Sequence, residues 1–270
     1  MAKASVVPRL SALGAWRRIP DVASSRAVSF VALTVGAVVW ELVGSLGIPF
    51  FPPFSAVVGR LVELTVNGTI LDPLLTSLTN LAIGFGISVV FGVAIGLLMG
   101  MYRQAHAALN VYVNAFLVAP GLVFAPVFFS IFGLGRETVV AVIVMYAIFV
   151  IIVNTDTAVR NVPVPLVEMA RSYGASNRKL FLKVILPAAT PLTMAAIRIA
   201  AGGAIKGMVN GEMFIAITGL GAIVIRAGQR FDATTILAIL MLMIVVSYAL
   251  IGAVRFIDTR LTSWLPTTSR

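Results

Sequence analysis

The sequence predicts an all-α polytopic membrane protein with six transmembrane helices. Of its 270 residues, 60% are hydrophobic and only 11% are charged, whereas about 25% of the residues of an average soluble domain are charged. Cysteine is absent and histidine occurs once, so disulfide frameworks and multi-histidine metal sites are excluded. This much apolar surface can be buried only in a lipid bilayer.

Six apolar stretches, most of them near or above the ~20 residues that cross the hydrocarbon core, define the predicted spans. They are Val28 to Leu46, Leu74 to Met101, Leu109 to Phe132, Thr138 to Val153, Ala188 to Ile217 and Thr234 to Val254. The first stretch lies too far along the chain to be a signal peptide, and no small-residue cleavage site follows it. The expected organisation is a cytoplasmic N-terminal segment 1–27, a transmembrane domain 28–260 that includes a cytoplasmic loop 156–187, and a cytoplasmic tail 261–270.

Basic residues are distributed unevenly between the two sides of these spans. With the N-terminus in the cytoplasm, the inner segments carry fourteen Lys and Arg against four acids, and the outer segments carry four of each. The outer four are Arg60, Arg136, Arg226 and Arg230. The formal charge of +10 therefore faces the cytoplasm, as the positive-inside rule requires. Because topology explains the basicity, no nucleic-acid partner is inferred.

Small residues recur at every fourth position of two spans. The second span carries Gly84, Ser88, Gly92, Gly96 and Gly100, and the fifth carries Gly203, Gly207 and Gly211. Such ridges let helix backbones approach closely in lipid, so both spans are expected to pack against protein. In the third span, Pro120 and Pro126 predict a bent helix whose freed carbonyl groups face protein or water.

Motifs of soluble enzymes are missing from the chain. None of the four lysines follows a glycine, so the phosphate-binding pattern G-x-x-x-x-G-K is absent. The sequence also lacks G-x-S-x-G and H-E-x-x-H. An enzymatic function is therefore not predicted.

The loop 156–187 is the longest internal cytoplasmic connection, and its pattern predicts two short helices outside the membrane. Pro165 suits the start of a helix, and Gly174 can adopt the left-handed conformation that ends one. Ser176 can then cap a second helix that runs through Lys183. An amphipathic helix of this kind would dock on a soluble partner or lie on the lipid surface.

Six residues of the same loop follow the spacing E-x-A-x3-G-x9-I-x-L-P, namely Glu168, Ala170, Gly174, Val184, Leu186 and Pro187. In this spacing the loop resembles the EAA loop of binding-protein-dependent ABC importer permeases. Met169 and Val184 are mild departures from the usual Ala and Ile. Further segments resemble the nitrate, sulfonate, taurine and bicarbonate branch of this family. They are Trp40-Glu41, Pro53 to Val57, Phe132 to Gly135, Asn154 with Val159-Arg160, and Arg198 with Glu212.

The resemblance implies a methionine-importer-like (type I) permease fold in a bacterial inner membrane, with both termini in the cytoplasm and two copies per transporter. It also implies two cytoplasmic ATPase subunits, which carry ATP and Mg, and an external substrate-binding protein. The chain itself would need no cofactor, and the EAA-loop residues would couple it to the ATPases. The solute would be a small anion such as a sulfonate, taurine or nitrate, with an aromatic acid or a pyrimidine-type vitamin precursor as the alternative.

Two other transporter classes compete with this interpretation. A secondary transporter driven by an ion gradient would use Glu212 as a proton site, but such carriers usually show paired internal repeats, and no clear repeat is found in the six spans. An energy-coupled vitamin transporter would work without an external binding protein.

Ionisable and polar groups inside the spans are candidates for the substrate pathway because they are costly to bury in lipid. The predicted pathway residues are Pro120, Asn154, Lys206, Asn210 and Glu212. Lys206 and Glu212 lie six residues apart, about 240° around a helix, so they cannot pair within it. Lys206 either binds an anion or pairs with an acid on another helix or on a second copy.

Overall fold

The computed structural model describes residues 22–262 as helices joined by short connections, with side chains from residue 27. The helices are α1 (Val22–Gly44), α2 (Phe54–Val66), α3 (Leu71–Met101), α4 (Arg103–Val118), α5 (Ala125–Phe132), α6 (Arg136–Arg160), α7 (Val164–Ser172), α8 (Asn177–Leu180), α9 (Leu186–Ile215), α10 (Gly219–Gln229) and α11 (Ala233–Leu261). The predicted cytoplasmic segment up to residue 21 and the predicted tail from residue 263 lie outside the described residues.

The predicted all-α membrane fold is confirmed for the part of the chain that the structure describes. Five of its helices are long and apolar enough to cross a membrane, and the bent pair of α4 and α5 raises the number to as many as six. Two helices between the spans, α2 and α10, were not predicted. They contain 13 and 11 residues, too few for a search for apolar runs of ~20 residues to detect them.

The chain divides into two compact units whose boundary lies between Ala56 and Val57. In the first unit, Trp40 and Glu41 at the end of α1 form hydrogen bonds with the segment that leads into α2, and we call these contacts the clasp. The Glu41 carboxylate accepts hydrogen bonds from the backbone N–H and the hydroxyl of Ser55, both at 2.8 Å, and so satisfies a free N–H in the first turn of α2. The Trp40 indole donates to the Pro52 carbonyl at 3.1 Å. The clasp therefore fixes the connection between α1 and the start of α2.

In the second unit, α6 lies between α3 and α9, and the two glycine ridges face it from either side. A methyl group on Gly84 would lie 2.7 Å from Cβ of Ile143, and one on Gly92 would lie 2.9 Å from Cβ of Ile151. From the opposite side, a methyl group on Gly207 would lie 2.9 Å from Cα of Ile143. The prediction that both ridges pack against protein is confirmed, and α6 is their shared partner.

The third predicted span is broken rather than continuous. Helices α4 and α5 meet at 99° across Ala119 and Pro120, with a short 3₁₀ turn before α5 begins. Pro120 has no N–H to continue the hydrogen-bond ladder of α4, and its ring forces the preceding Ala119 into an extended conformation with ψ 135°. The bend predicted from the prolines is confirmed, and its angle is large enough to separate two helices.

Candidate coupling segment and substrate groove

Helix α7 ends in a Schellman motif that accounts for two residues of the EAA pattern. The Ala175 N–H donates to the Ala170 carbonyl at 3.0 Å, and the Gly174 N–H donates to the Arg171 carbonyl at 2.9 Å. Gly174 has φ +73°, which glycine adopts without strain. Ala170 and Gly174 therefore build a sharp turn, and the predicted left-handed stop is confirmed.

The two faces of α7 have different surroundings. Val167 packs inward against a cluster that contains Val159 and Ala189. Much of the remaining surface of α7 is apolar and exposed although it lies outside the predicted spans; the large exposed side chains are Val164, Leu166, Met169 and, directly after the helix, Tyr173. Glu168 is also exposed, and its carboxylate forms no ion pair within residues 27–262. An apolar helix face beside an unpaired carboxylate is suited to a protein groove.

The segment after Gly174 forms one continuous helix. Ser176 caps α8, accepting a hydrogen bond from the Lys179 N–H at 3.4 Å. The predicted second helix does not end at Lys183, because a π turn over Phe181–Ile185 carries it directly into α9. Pro187 lacks the N–H that would bond to the Lys183 carbonyl, and the wider π turn absorbs this break in the ladder. Val184, Leu186 and Pro187 are half-buried in and after this turn.

Lys206 and Asn210 line one groove between α9 and α11. The groove has a volume of about 440 Å³ and also contains Ser247, while its other walls are aliphatic and methionine side chains. Lys206 is exposed and forms no ion pair with any acid of the described residues. The structure thus supplies no partner for Lys206 within this part of the chain, and its ammonium group is available to an anion.

Tyr146 of α6 connects this groove to a second one. The Asn210 side-chain N–H₂ donates to the Tyr146 hydroxyl at 2.8 Å. The Tyr146 ring lies against Gly121, where an added methyl group would come within 2.6 Å of it. Tyr146 and Pro120 both line the second groove, which has a volume of about 260 Å³. Tyr146 therefore contacts both the chain at the bend after α4 and the polar side chain of Asn210 on α9.

Glu212 lies apart from both grooves, fully buried beneath the N-terminus of α10. It accepts hydrogen bonds from the Ser77 hydroxyl at 2.8 Å and from the Gly221 N–H at 3.1 Å. Ser77 in turn accepts from the Leu220 N–H at 2.9 Å. Carboxylates are favourable at helix N-termini, where free N–H groups point outward. Glu212 thus ties α10 to α3 and α9.

The structure therefore brings together three of the five predicted pathway residues, Pro120, Lys206 and Asn210, and separates the other two. Asn154 is exposed on α6 and donates only to the Val150 carbonyl of its own helix, at 2.7 Å. Sequence reasoning missed Tyr146. The signal was a hydroxyl group in the middle of an aliphatic span, where it needs a hydrogen-bond partner.

Comparisons with known proteins agree with this architecture. The family described as binding-protein-dependent transport system inner membrane component matches residues 88–263. A taurine transport system permease of Escherichia coli is 28% identical over 245 residues, which cover 88% of this chain and 89% of that protein. A bicarbonate transport system permease of Synechococcus elongatus is 30% identical over 193 residues, which cover 71% of this chain and 66% of that protein.

A solved structure shows the same fold. The MetNI methionine ABC transporter, in an inward-facing conformation, superposes with a TM-score of 0.60 at 22% identity over 70% of this chain and 94% of that chain. The helix order and the family match together identify a membrane-spanning subunit of the type I fold. The chain belongs to the family of binding-protein-dependent inner membrane components and is the permease of an ABC importer.

Proposed function

We propose that this permease imports a small anion and that Lys206 binds it on the way through the membrane. The observation that carries the proposal is an exposed ammonium group in a groove with Asn210 and Ser247, without an ion pair in the described residues. Burying a charge inside a membrane is costly unless it serves a site. Relatives named for taurine and bicarbonate transport support the choice of an organic sulfonate or a comparable small anion.

We infer that the permease works as a homodimer with two cytoplasmic ATPase subunits and an external binding protein. The groove that contains Lys206 is open along one side of the chain described here, and a second copy would close it. ATP and Mg would be held by the ATPase subunits. The charge asymmetry of the loops supports a cytoplasmic position for both termini and for the EAA segment.

Coupling would run through the exposed face of α7. Met169 and Tyr173, which are 54% and 87% exposed, would enter a groove of the ATPase, and Glu168 would pair with a cation there. The Schellman turn at Gly174 would transmit the movement of that groove into α8 and α9.

The substrate assignment is tested by uptake of labelled taurine and labelled bicarbonate in cells that carry the complete transporter. Lys206→Met removes the charge while nearly keeping the length of the side chain. We expect normal amounts of assembled complex but slower uptake per complex, or a changed preference between the two solutes. Lys206→Arg keeps the charge and should retain more uptake.

The opposite pattern would contradict the substrate assignment. If Lys206→Met lowers the amount of complex while uptake per surviving complex is unchanged, Lys206 is a structural partner of another charge. The coupling assignment has a separate test. Glu168→Lys or Gly174→Pro should abolish uptake and co-purification of the ATPase, and the assignment is wrong if both survive.

A further inference from the structure

Three of the four arginines assigned to the outer segments line one pocket, to which α2, α3, α10 and α11 all contribute. Arg60 comes from α2, Arg226 from α10, and Arg230 from the residue that follows α10. The pocket has a volume of about 210 Å³, below the range of about 300 to 1,000 Å³ typical of sites for drug-sized ligands. It is separate from the groove that contains Lys206.

The first of these arginines is already neutralised. Arg60 donates from Nε to the Thr235 hydroxyl at 2.9 Å and from Nη1 to Glu63 at 2.8 Å. Its Nη2 lies 4.0 Å from Asp232. Arg60 is therefore held in place by two acids and a hydroxyl group, and it forms a fixed wall of the pocket.

Asp232, the acid that lines the pocket, is hydrogen-bonded to the first turn of α11. Asp232 accepts hydrogen bonds from the Thr235 N–H at 3.0 Å and from its hydroxyl at 2.6 Å, and so caps α11. Burial raises the pKa of Asp232, but the Thr235 hydrogen bonds and the Arg60 charge outweigh it and hold the pKa below its usual range. Both carboxylate oxygens are thus engaged on the side of Thr235 and Arg60.

The charges of the other two arginines are not neutralised by an ion pair within the described residues. Arg226 and Arg230 are exposed and form no ion pair with any acid in the described residues 27–262. They are four residues apart in the sequence, and both side chains line the same pocket. Each guanidinium group offers a planar fork of donors that matches an oxyanion.

We propose that this pocket binds a small oxyanion, such as a sulfonate, a carboxylate or a phosphate, between the side chains of Arg226 and Arg230. The ligand is a free solute anion or the phosphate of a lipid headgroup, since both present the same chemistry. That the pocket opens to the outside rests on the proposed function, whereas the binding of the anion does not. The site would concentrate anions near the outer surface through its local positive potential.

The test is calorimetric titration of methanesulfonate and inorganic phosphate into the purified permease–ATPase complex. The complex is held in nanodiscs of zwitterionic phosphatidylcholine. We expect saturable binding that weakens at least tenfold in the double variant R226Q/R230Q, because charge-assisted hydrogen bonds are lost. Arg136→Gln is the matched control, since it removes an exposed outer charge that does not line the pocket. It should leave the affinity unchanged.

The outcomes separate the proposal from its rivals. Absence of saturable binding, or equal weakening by Arg136→Gln, would show only a diffuse surface charge and would overturn the proposal. A second contradicting outcome is that no anion binds, but R226Q/R230Q abolishes the stimulation of the ATPase by the binding protein and Arg136→Gln does not. The pocket would then dock acidic side chains of the binding protein, and the proposal would be wrong. If the double variant does not assemble, the single variants R226Q and R230Q must each weaken binding.

A second arm identifies the source of the anion. The titration is repeated in phosphatidylglycerol nanodiscs, at an ionic strength that screens the charge of the lipid surface. Unchanged affinity for methanesulfonate supports a free solute as the ligand. A tenfold loss in the wild-type protein supports the phosphate of an anionic lipid as the ligand, because the phosphate of phosphatidylcholine is balanced by its own ammonium group and competes less for the arginine pair.

Discussion

Asn210 donates a hydrogen bond of 2.8 Å to the hydroxyl of Tyr146, and this contact ties α9 to α6 at the point where two grooves meet. Lys206 lies one helical turn before Asn210. Because the amide N–H₂ is held by Tyr146, the carbonyl oxygen of Asn210 is oriented by the same bond. A change in the position of Tyr146 would thus alter the polar lining of the groove beside Lys206.

Tyr146→Phe should therefore reduce transport more than the removal of a tyrosine hydroxyl group that does not contact Asn210. We expect a double-mutant cycle of Tyr146→Phe with Asn210→Leu to give a coupling energy of about 0.6 kcal/mol in thermal unfolding, the average for such bonds in membranes. Uptake should fall in the single variant Tyr146→Phe. Tyr248→Phe, at a side chain that is 78% exposed, is the control and should change neither the thermal stability nor the uptake. A coupling energy of zero would contradict the role given to this bond.

The glycine ridge of α3 predicts a position-specific effect of adding one methyl group. In Gly84→Ala the new methyl group would collide with Ile143 of α6, whereas at Gly86 no atom lies within 4 Å. We expect Gly84→Ala to destabilise the permease by about 1 to 3 kcal/mol, as overpacking does. Gly86→Ala should be neutral or slightly stabilising, since alanine favours helices. Thermal unfolding in detergent measures both, and equal values would contradict the packing of α3 on α6.

The left-handed turn at Gly174 predicts an order of tolerance. Asparagine visits this conformation and β-branched residues avoid it, at a cost of about 1 to 2 kcal/mol. No heavy atom lies near a methyl group added at Gly174, so backbone strain is the only obstacle. Gly174→Asn should retain uptake, and Gly174→Val should reduce uptake together with co-purification of the ATPase. Full uptake and normal co-purification with both variants would show that the turn is not required.

Glu212 is expected to contribute to stability rather than to the passage of solute. Glu212→Ala leaves the Gly221 N–H and the Ser77 hydroxyl without their acceptor, and each such loss costs about 1 to 3 kcal/mol. The amount of assembled complex should fall, while uptake per surviving complex stays constant. This is the reverse of the pattern expected for Lys206→Met. A variant Glu212→Ala that assembles normally but does not transport would place Glu212 in the pathway.

Most of the architecture was predictable because lipid imposes simple rules. Apolar runs defined the spans, small residues marked the ridges, and Gly174 marked the turn. The order of α3, α6 and α9 was not predictable, because a ridge identifies a close-packed face but not its partner. Helices α2 and α10 were missed because neither is long enough to span a membrane.

The candidate site was predictable only in part, because the sequence identifies unusual residues but not the side chains that surround them. Lys206 stood out because an isolated ammonium group is rare inside a membrane. The sequence could not show that Lys206 and Glu212 have different roles, because a carboxylate is just as rare inside a membrane and the two residues differ only in their surroundings. Glu212 is enclosed by donors from α3 and α10, whereas Lys206 faces an open groove. Tyr146 acquires its role only through contacts with residues distant in sequence.

The continuous helix from Asn177 to Ile215 contains 39 residues, about 58 Å at 1.5 Å per residue, nearly twice the ~30 Å of hydrocarbon in a bilayer. Lys206 lies about 44 Å from Asn177 along this helix. Under the proposed coupling, a tilt of about 5° about Asn177 would displace the ammonium group by about 4 Å, more than the length of a hydrogen bond. The π turn at Phe181–Ile185 is the point where the helix would bend. The bending stiffness of this turn would therefore set how much of the ATPase movement reaches the solute.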